Sequence, residues 1–376
     1  MFAAAVWLVP VALFACGEMT DTDAPSLDAL VFQDLGTASV SDTGDYTGDL
    51  VVDVPEGATS VMAWCGEFGD FALGKVWFLT DPSGTQLYDS DAPGSSFRSD
   101  WMDDIATSLL PVTPTVPPTP GPWTYNWWIG AGNPGSVDCG AVIKTEPLTD
   151  SSAIVVNLVF VGLDGLDAAS APDHTGLQAA LDRFESEWGS GGLVPSYTYS
   201  DFTGDVTKFA VVDVTDDDFS EFNDLLRTAD PANARSVTFF LVQEIANASA
   251  GGATILGLSA GPPGAAAISQ TSKSGLVVSA IDLDADPDSV AKIMSHEGGH
   301  FLGLYHTTEK DGSQFDLLGD SPECGPENDA DGNGVMNSSE CAGMGAENVM
   351  WWTLTSGDAT LTSDQGNILR SNPAAG

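Results

Sequence analysis

His296-Glu297-Gly298-Gly299-His300-Phe301-Leu302-Gly303-Leu304-Tyr305-His306 is the stretch from which the rest of the chain is best read. Just upstream, Asp286-Pro287-Asp288 has the form of a helix start: an Asp cap, a proline at the first helical position and an acid in the first turn. These signals predict a helix from Pro287 to about Leu302 that stops at Gly303. His296 and His300 are four residues apart, so they leave one helix face on adjacent turns and can reach one metal ion. Gly303 can take the left-handed conformation and turn the chain back, which delivers His306 as a third ligand. Three protein ligands with one position open is the pattern of a catalytic zinc site; a structural site would be closed by four. Glu297 lies beside the ligands, placed to hold and deprotonate a water. Gly298 and Gly299 each cost about 1 kcal/mol inside a helix. Such a local violation is expected at a functional site, and close approach of another backbone would explain it. The chain has four histidines and three are here. The fourth, His174, precedes an amphipathic segment and reads as a surface residue.

The string fits H-E-x-x-H-x-x-G-x-x-H at every fixed position, and in this it resembles the metzincin zinc peptidases. Downstream, Asn348-Val349-Met350-Trp351-Trp352 resembles the methionine turn of that family, with Met350 as its methionine. Some members carry a tyrosine two residues later; Trp352 stands there, so no such role transfers. His306-Thr307-Thr308-Glu309, an acidic Gly-rich insertion and the ending Leu361-Thr362-Ser363-Asp364-Gln365 look most like the pappalysin and cytophagalysin branch. Over about residues 153–373 the resemblance implies an α+β protease domain, a mixed twisted sheet with an active-site helix. It further implies Zn²⁺ on His296, His300 and His306, Glu297 as general base, and a protein or peptide substrate added as an extra strand along Gly275–Leu283.

Between the third histidine and Met350 lies Asp329-Ala330-Asp331-Gly332-Asn333-Gly334-Val335-Met336-Asn337-Ser338-Ser339-Glu340. It fits a twelve-residue calcium loop. Asp329, Asp331, Asn333 and Asn337 stand at positions 1, 3, 5 and 9, and Val335 offers its carbonyl at position 7. Gly334 is at the sharp turn and Glu340 at position 12. Pro322 and Pro326 argue against a helix before the loop, so a paired EF-hand is not expected. The alternative is an acidic surface turn.

Working back from the helix, residues 151–376 read as the protease domain, with the calcium-loop insertion at 324–341. Strands are expected at Ile154–Val161, Lys208–Val214, Val237–Val242 and Leu276–Leu283, with helices at His174–Trp188 and near Phe219–Leu226. In the first helix Leu177, Leu181, Phe184 and Trp188 form one stripe. Residues 41–150 read as an all-β sandwich or jelly roll. Short apolar runs such as Val61-Met62-Ala63-Trp64 and Val76-Trp77-Phe78-Leu79 are separated by turns such as Asp81-Pro82-Ser83-Gly84. Pro111–Pro122 reads as a loop or edge feature, and Trp123, Trp127 and Trp128 as either packing or a sugar-binding platform. Residues 17–40 are polar and acidic, the composition of a tether. Residues 1–16 end in Leu13-Phe14-Ala15-Cys16, which resembles a bacterial lipobox on an export signal, though a basic start is missing. It implies lipidation at Cys16 and retention at the outer membrane or cell surface; an ordinary signal peptide is the alternative, and both export the chain.

The charge balance is unusual, and its plain reading is an acidic surface kept soluble in a salty medium. The 376 residues hold 54 Asp plus Glu against 11 Lys plus Arg, a formal charge of -43. That field disfavours nucleic acid and anionic membrane surfaces and favours cations. With Cys16 lipidated, an even four cysteines remain, and the domain layout favours Cys65–Cys139 and Cys324–Cys341. Two readings compete with an active endopeptidase. One is a surface binding or adhesion protein that uses the sandwich. The other is a zymogen in which the N-terminal domain blocks the zinc, in one version through a Cys65 or Cys139 thiolate; paired cysteines would exclude that version.

Overall fold

The computed structural model describes residues 25–376, except 41–44, 67–71, 93, 95, 131–134, 216–218, 231–234 and 248–254. Cys16 and the lipobox therefore lie outside the described residues. The first part of the chain is β1 (Leu30–Ser39), β2 (Tyr46–Val54), β3 (Ser60–Gly66), β4 (Leu73–Thr80), β5 (Gln86–Asp89), β6 (Met102–Asp103), β7 (Ile105–Leu110), β8 (Gly121–Gly130) and β9 (Ser136–Lys144). They form two antiparallel sheets, ordered β1-β9-β3-β7 and β2-β8-β4-β5, with β6 on β4. The stretch expected to be a tether thus supplies β1, paired along β9 from Leu30 opposite Lys144 to Ser39 opposite Ser136. Its mixed sequence, Leu30-Val31-Phe32-Gln33-Asp34-Leu35, suits a half-exposed edge strand. Pro111–Pro120 is the connection from β7 to β8.

The second part runs β10 (Ser152–Val161), α1 (Thr175–Ser190), β11 (Leu193–Asp201), α2 (Val206–Phe209), β12 (Val211–Asp213), α3 (Ser220–Leu226), β13 (Val237–Val242), β14 (Glu244–Ala246), β15 (Gly257–Ser259), β16 (Leu276–Ser279), α4 (Pro287–Phe301) and α5 (Ser363–Ser371). Its main sheet is ordered β11-β10-β13-β16-β15, parallel except for β15, which runs against β16. Three sequence expectations need correction. Lys208–Val214 is not one strand: its first part closes the short helix α2, capped by Asp205, and only Val211–Asp213 is extended. β16 stops at Ser279, where the chain turns toward the helix. β11 escaped the reading because Leu193-Val194-Pro195-Ser196-Tyr197-Thr198-Tyr199 is half polar, as a sheet-edge strand permits. Among the described residues no helix is long and apolar enough to cross a membrane.

The two parts share a core. β7 is buried along its whole length, and β3 and β9 nearly so, because their sheet is covered on both faces. One face meets the second sheet of the sandwich through Val61, Ala63, Ala141 and Ile143. The other presents Leu30, Met62, Leu109 and Val142 to the core of the second part. That double burial is why Val61-Met62-Ala63-Trp64 is an unbroken apolar run rather than an alternating one.

Candidate metal centre

α4 forms as its sequence dictates. Asp286 caps it, accepting from the Ser289 amide at 3.2 Å, and Pro287 opens it. Val290, Ile293, Met294 and Phe301 enter the core, which turns His296, Glu297 and His300 toward the opposite, partly open face. Gly303 has φ +106°, and the chain reverses there. Leu304 donates its amide to the Gly299 carbonyl at 2.9 Å, and His306 swings back to the helix.

The three Nε2 atoms converge: 3.1 Å from His296 to His300, 3.1 Å from His300 to His306 and 3.2 Å from His306 to His296. Each Nδ1 has its own acceptor. His296 donates to the Val349 carbonyl at 2.9 Å, His300 to the Leu304 carbonyl at 2.8 Å and His306 to Glu309 Oε2 at 2.8 Å. A carbonyl can only accept, so for His296 and His300 the ring proton is fixed on Nδ1 and the Nε2 lone pair is bare. With Nδ1 of His306 turned to Glu309, its Nε2 faces the other two, and lone pairs aimed at one point repel unless a cation sits between them. Ligands at about 2.0–2.1 Å from Zn²⁺ with tetrahedral angles lie about 3.3 Å apart, close to the spacing here. Burial, and then the neighbouring imidazole of His306, pushes His296 down to about 4. Burial likewise takes His300 well below its ordinary value. Both are therefore neutral ligands at physiological pH.

Glu297 sits between α4 and β15. Burial pushes its carboxyl up to about 8, against the pull of the Ser259 backbone amide. Gly257 is required there: a Cβ at that position would meet Ile293 and the Glu297 side chain. The two helix glycines have the same kind of cause, though the expected backbone approach is absent. A Cβ on Gly298 would strike the Trp188 ring and one on Gly299 the Met350 sulfur. Met350 is wholly buried, with its sulfur against Gly299 of α4. Its amide donates to Asn348 Oδ1 at 2.8 Å, and its carbonyl accepts from Thr307 at 3.0 Å. Asn348 and Gln365 exchange two side-chain hydrogen bonds of 2.9 and 3.0 Å that hold this turn.

Beside the centre is a cleft of about 440 Å³, walled by β15, Ile293, Trp352 and Leu354. Its sheet wall is β15 and not Gly275–Leu283: β16 is paired on both sides, and β15 is the last strand on that side among the described residues. The roles of Glu309, Asn348 and Gln365, and β15 itself, are what sequence reasoning missed. The three residues stand in stretches that carry the family resemblance, whereas β15 left no signal.

Asp329, Asp331 and Glu340 bring carboxylate oxygens within 4.8 Å of one another. The loop is folded by its own backbone. Asp329 accepts from Gly332, Asn333 and Gly334, Asp331 from Asn333, and Glu340 from Ala330, Asp331 and Asn337. Asn337 caps the Ser339 and Glu340 amides. Before the loop stands only a single 3₁₀ turn, Pro326–Asn328. Cys324–Cys341 closes it at the base, and Cys65–Cys139 joins β3 to β9 in the sandwich. Both bonds match the pairs expected from the sequence. With Cys65 and Cys139 oxidised, neither can cap the metal centre as a thiolate. Trp123 and Trp127 are core residues, whereas Trp128 is half-exposed against Trp77 and Trp101. His174 is not a plain surface residue: its Nδ1 caps α1, accepting from the Leu177 amide at 3.2 Å.

Residues 195–371, just under half of the chain, match the family described as Metallo-peptidase family M12B Reprolysin-like. This match spans all three converging histidines and supports a metallopeptidase domain. No curated protein sequence matches the chain. Among solved structures, archaemetzincin from Methanopyrus kandleri is 17% identical over 60% of this chain and 90% of its own, with a TM-score of 0.28. Metalloproteinase-II from Bacteroides fragilis is 12% identical over 48% of this chain and 57% of its own, with a TM-score of 0.25. At these scores neither neighbour adds to what the site's own geometry shows.

Proposed function

We propose that this chain is an exported, zinc-dependent endopeptidase of the metzincin type. The observation that carries the reading is the convergence of three Nε2 lone pairs, each fixed by a hydrogen bond at the far ring nitrogen, with Glu297 at the mouth of a cleft. The family match supports peptidase chemistry independently. His296, His300 and His306 would hold Zn²⁺ and leave one position open to the cleft. When bound, Zn²⁺ supplies Lewis acidity, polarising a peptide carbonyl and making water acidic near neutral pH.

The chain's own groups do the rest. Glu297 takes the proton of the attacking water and passes it to the leaving amine. The edge of β15, unpaired among the described residues, receives an extended peptide as an added strand, which holds the scissile bond across the histidines. Leu258 on that strand, Ile293 on α4 and Leu354 beyond the methionine turn line the cleft and exclude bulk water. Met350 packs its sulfur on Gly299 and so fixes the turn whose Val349 carbonyl holds His296. Asp329, Asp331, Asn333, the Val335 carbonyl, Asn337 and Glu340 would hold Ca²⁺, whose charge offsets the clustered carboxylates. Lipidation at Cys16 would anchor the exported chain at the cell surface, with the protease part facing outward. The folding divides as a sandwich up to about residue 150 and a protease domain after it.

The test is a proteome-wide cleavage profile of the purified chain, with and without 1,10-phenanthroline. Chelator-sensitive cuts within extended peptides are expected, together with about one Zn²⁺ per chain. Absence of any chelator-sensitive cut, from a chain that retains its zinc, refutes the endopeptidase reading.

A further inference from the structure

His306 is the one ligand that α4 does not carry, and its position is set partly from outside its own domain. Tyr305, the residue before it, is buried in the hydrophobic core of the sandwich, among Val112, Phe97 and their neighbours. Its hydroxyl donates to the Arg98 carbonyl at 3.3 Å, and the Arg98 guanidinium lies 4.1 Å from its ring centroid. Arg98 stands between β5 and β6 of the sandwich, with its side chain largely buried. It forks onto Asp100 at 3.2 and 3.0 Å, and its Nη2 also reaches Glu309 Oε1 at 3.4 Å. The other oxygen of Glu309 accepts from His306 Nδ1 at 2.8 Å. A continuous chain of polar contacts therefore runs Asp100–Arg98–Glu309–His306, from the sandwich to the third ligand. The reversal at Gly303 is closed from the same side, since a Cβ there would meet Leu109 on β7.

We propose that Arg98 is a positioning residue for the metal, and that the sandwich is thereby a structural part of the metal centre rather than an appended binding module. This rests on the zinc reading above. Glu309 is a half-buried carboxylate on a flexible stem; alone it has several rotamers, of which one meets His306. Arg98 is planar and rigid in its fork, so with Asp100 on Nε and Nη2 the second hydrogen of Nη2 has a fixed direction, and it is the one that meets Glu309 Oε1. A carboxylate that holds a ligating imidazole orients the ring and raises its basicity, and loss of such partners weakens metal affinity about 10–100-fold. Arg98 acts one contact further out, so its loss should weaken binding by about 10-fold, the lower end of that range.

The experiment measures Zn²⁺ affinity of the full chain by competition with a chromogenic chelator, with the melting temperature of the metal-free chain as a second readout. Arg98→Met should lower affinity about 10-fold in the parent, and less than about 2-fold when Glu309→Ala is already present, because the coupling passes through that carboxylate. Arg98→Lys keeps the charge and the stem but not the fork. It should recover part of the affinity, and it serves as the test should Arg98→Met fail to fold, with a loss of a few-fold expected. An equal loss in both backgrounds, or Arg98→Met and Arg98→Lys both within about 2-fold of the parent, overturns the role of Arg98 and leaves the zinc site standing. A parent chain that takes up no Zn²⁺ overturns the zinc reading and this one with it.

Discussion

The chain gathers possible metal ligands in two places, and it builds them in opposite ways. At His296, His300 and His306 the donors are imidazoles, brought together from a helix and a returning loop and held by Val349, Leu304 and Glu309. At Asp329–Glu340 the donors are carboxylates from one continuous loop, largely exposed and held by that loop's own amides. The first cluster needs the whole fold, because its lone pairs converge only when α4, the methionine turn and Glu309 are all in place. The second needs twelve residues and a disulfide at their base. A soft borderline cation with few ligands suits the first, and a hard cation taking many oxygens suits the second. The two are also linked: Trp352, on the cleft wall, donates from Nε1 to the Met336 carbonyl inside the acidic loop at 2.7 Å.

The largest effect should come from separating chemistry from architecture at the first cluster. Glu297→Ala is expected to reduce peptide turnover by about 10³-fold or more while zinc content stays at the parent level. If the variant cleaves as fast as the parent, the histidine cluster is a metal site without the proposed chemistry.

The second comparison is between metals. With zinc held constant, raising free Ca²⁺ from nanomolar to millimolar should stabilise the chain by about 2–3 kcal/mol if the ion reaches about 100 times its dissociation constant. Glu340→Gln should abolish most of that gain and open the segment around residue 335 to proteolysis. A melting temperature flat across the titration would reduce the second cluster to an acidic turn.

The third contrast is between two glycines, and its effects are smaller. Gly299→Ala places a methyl against the Met350 sulfur and should destabilise by about 1–3 kcal/mol through overpacking, with weakened zinc binding. Gly334→Ala meets open space but has φ +76°. It should cost about 1 kcal/mol through backbone strain alone, sparing zinc. Thermal melts and chelator competition on both variants read the difference. Zinc binding weakened equally by the two would mean that the clusters are not independent.

How much of this was legible beforehand follows from the range over which each feature is specified. The helix bounds, its Asp286 cap, the reversal at Gly303 and the ligand spacing are local, and the order His-Glu-x-x-His carries them in a few turns of backbone. The acidic loop was legible for the same reason, since its folding is written into its own amides and side chains. The cysteine pairs followed from parity and domain layout. By contrast, the strand that walls the cleft was misread. Gly275–Leu283 is the more apolar segment because β16 is paired on both sides, and the true edge, Gly257–Ser259, is too short to announce itself.

The sequence by itself determined which residues can bind and act: three histidines, one glutamate, one methionine and a loop of oxygen donors, each defined by spacing within a short segment. Only the tertiary structure decided what holds them. Trp188 accounts for Gly298 and Met350 for Gly299, while Asn348 with Gln365 accounts for the methionine turn. The sandwich, through Tyr305 and Arg98, accounts for the seat of His306. These contacts join residues tens to hundreds of positions apart. Their specificity lies in shape and in matched hydrogen bonds across packed surfaces, and neither leaves a periodicity or a motif in the order of the residues.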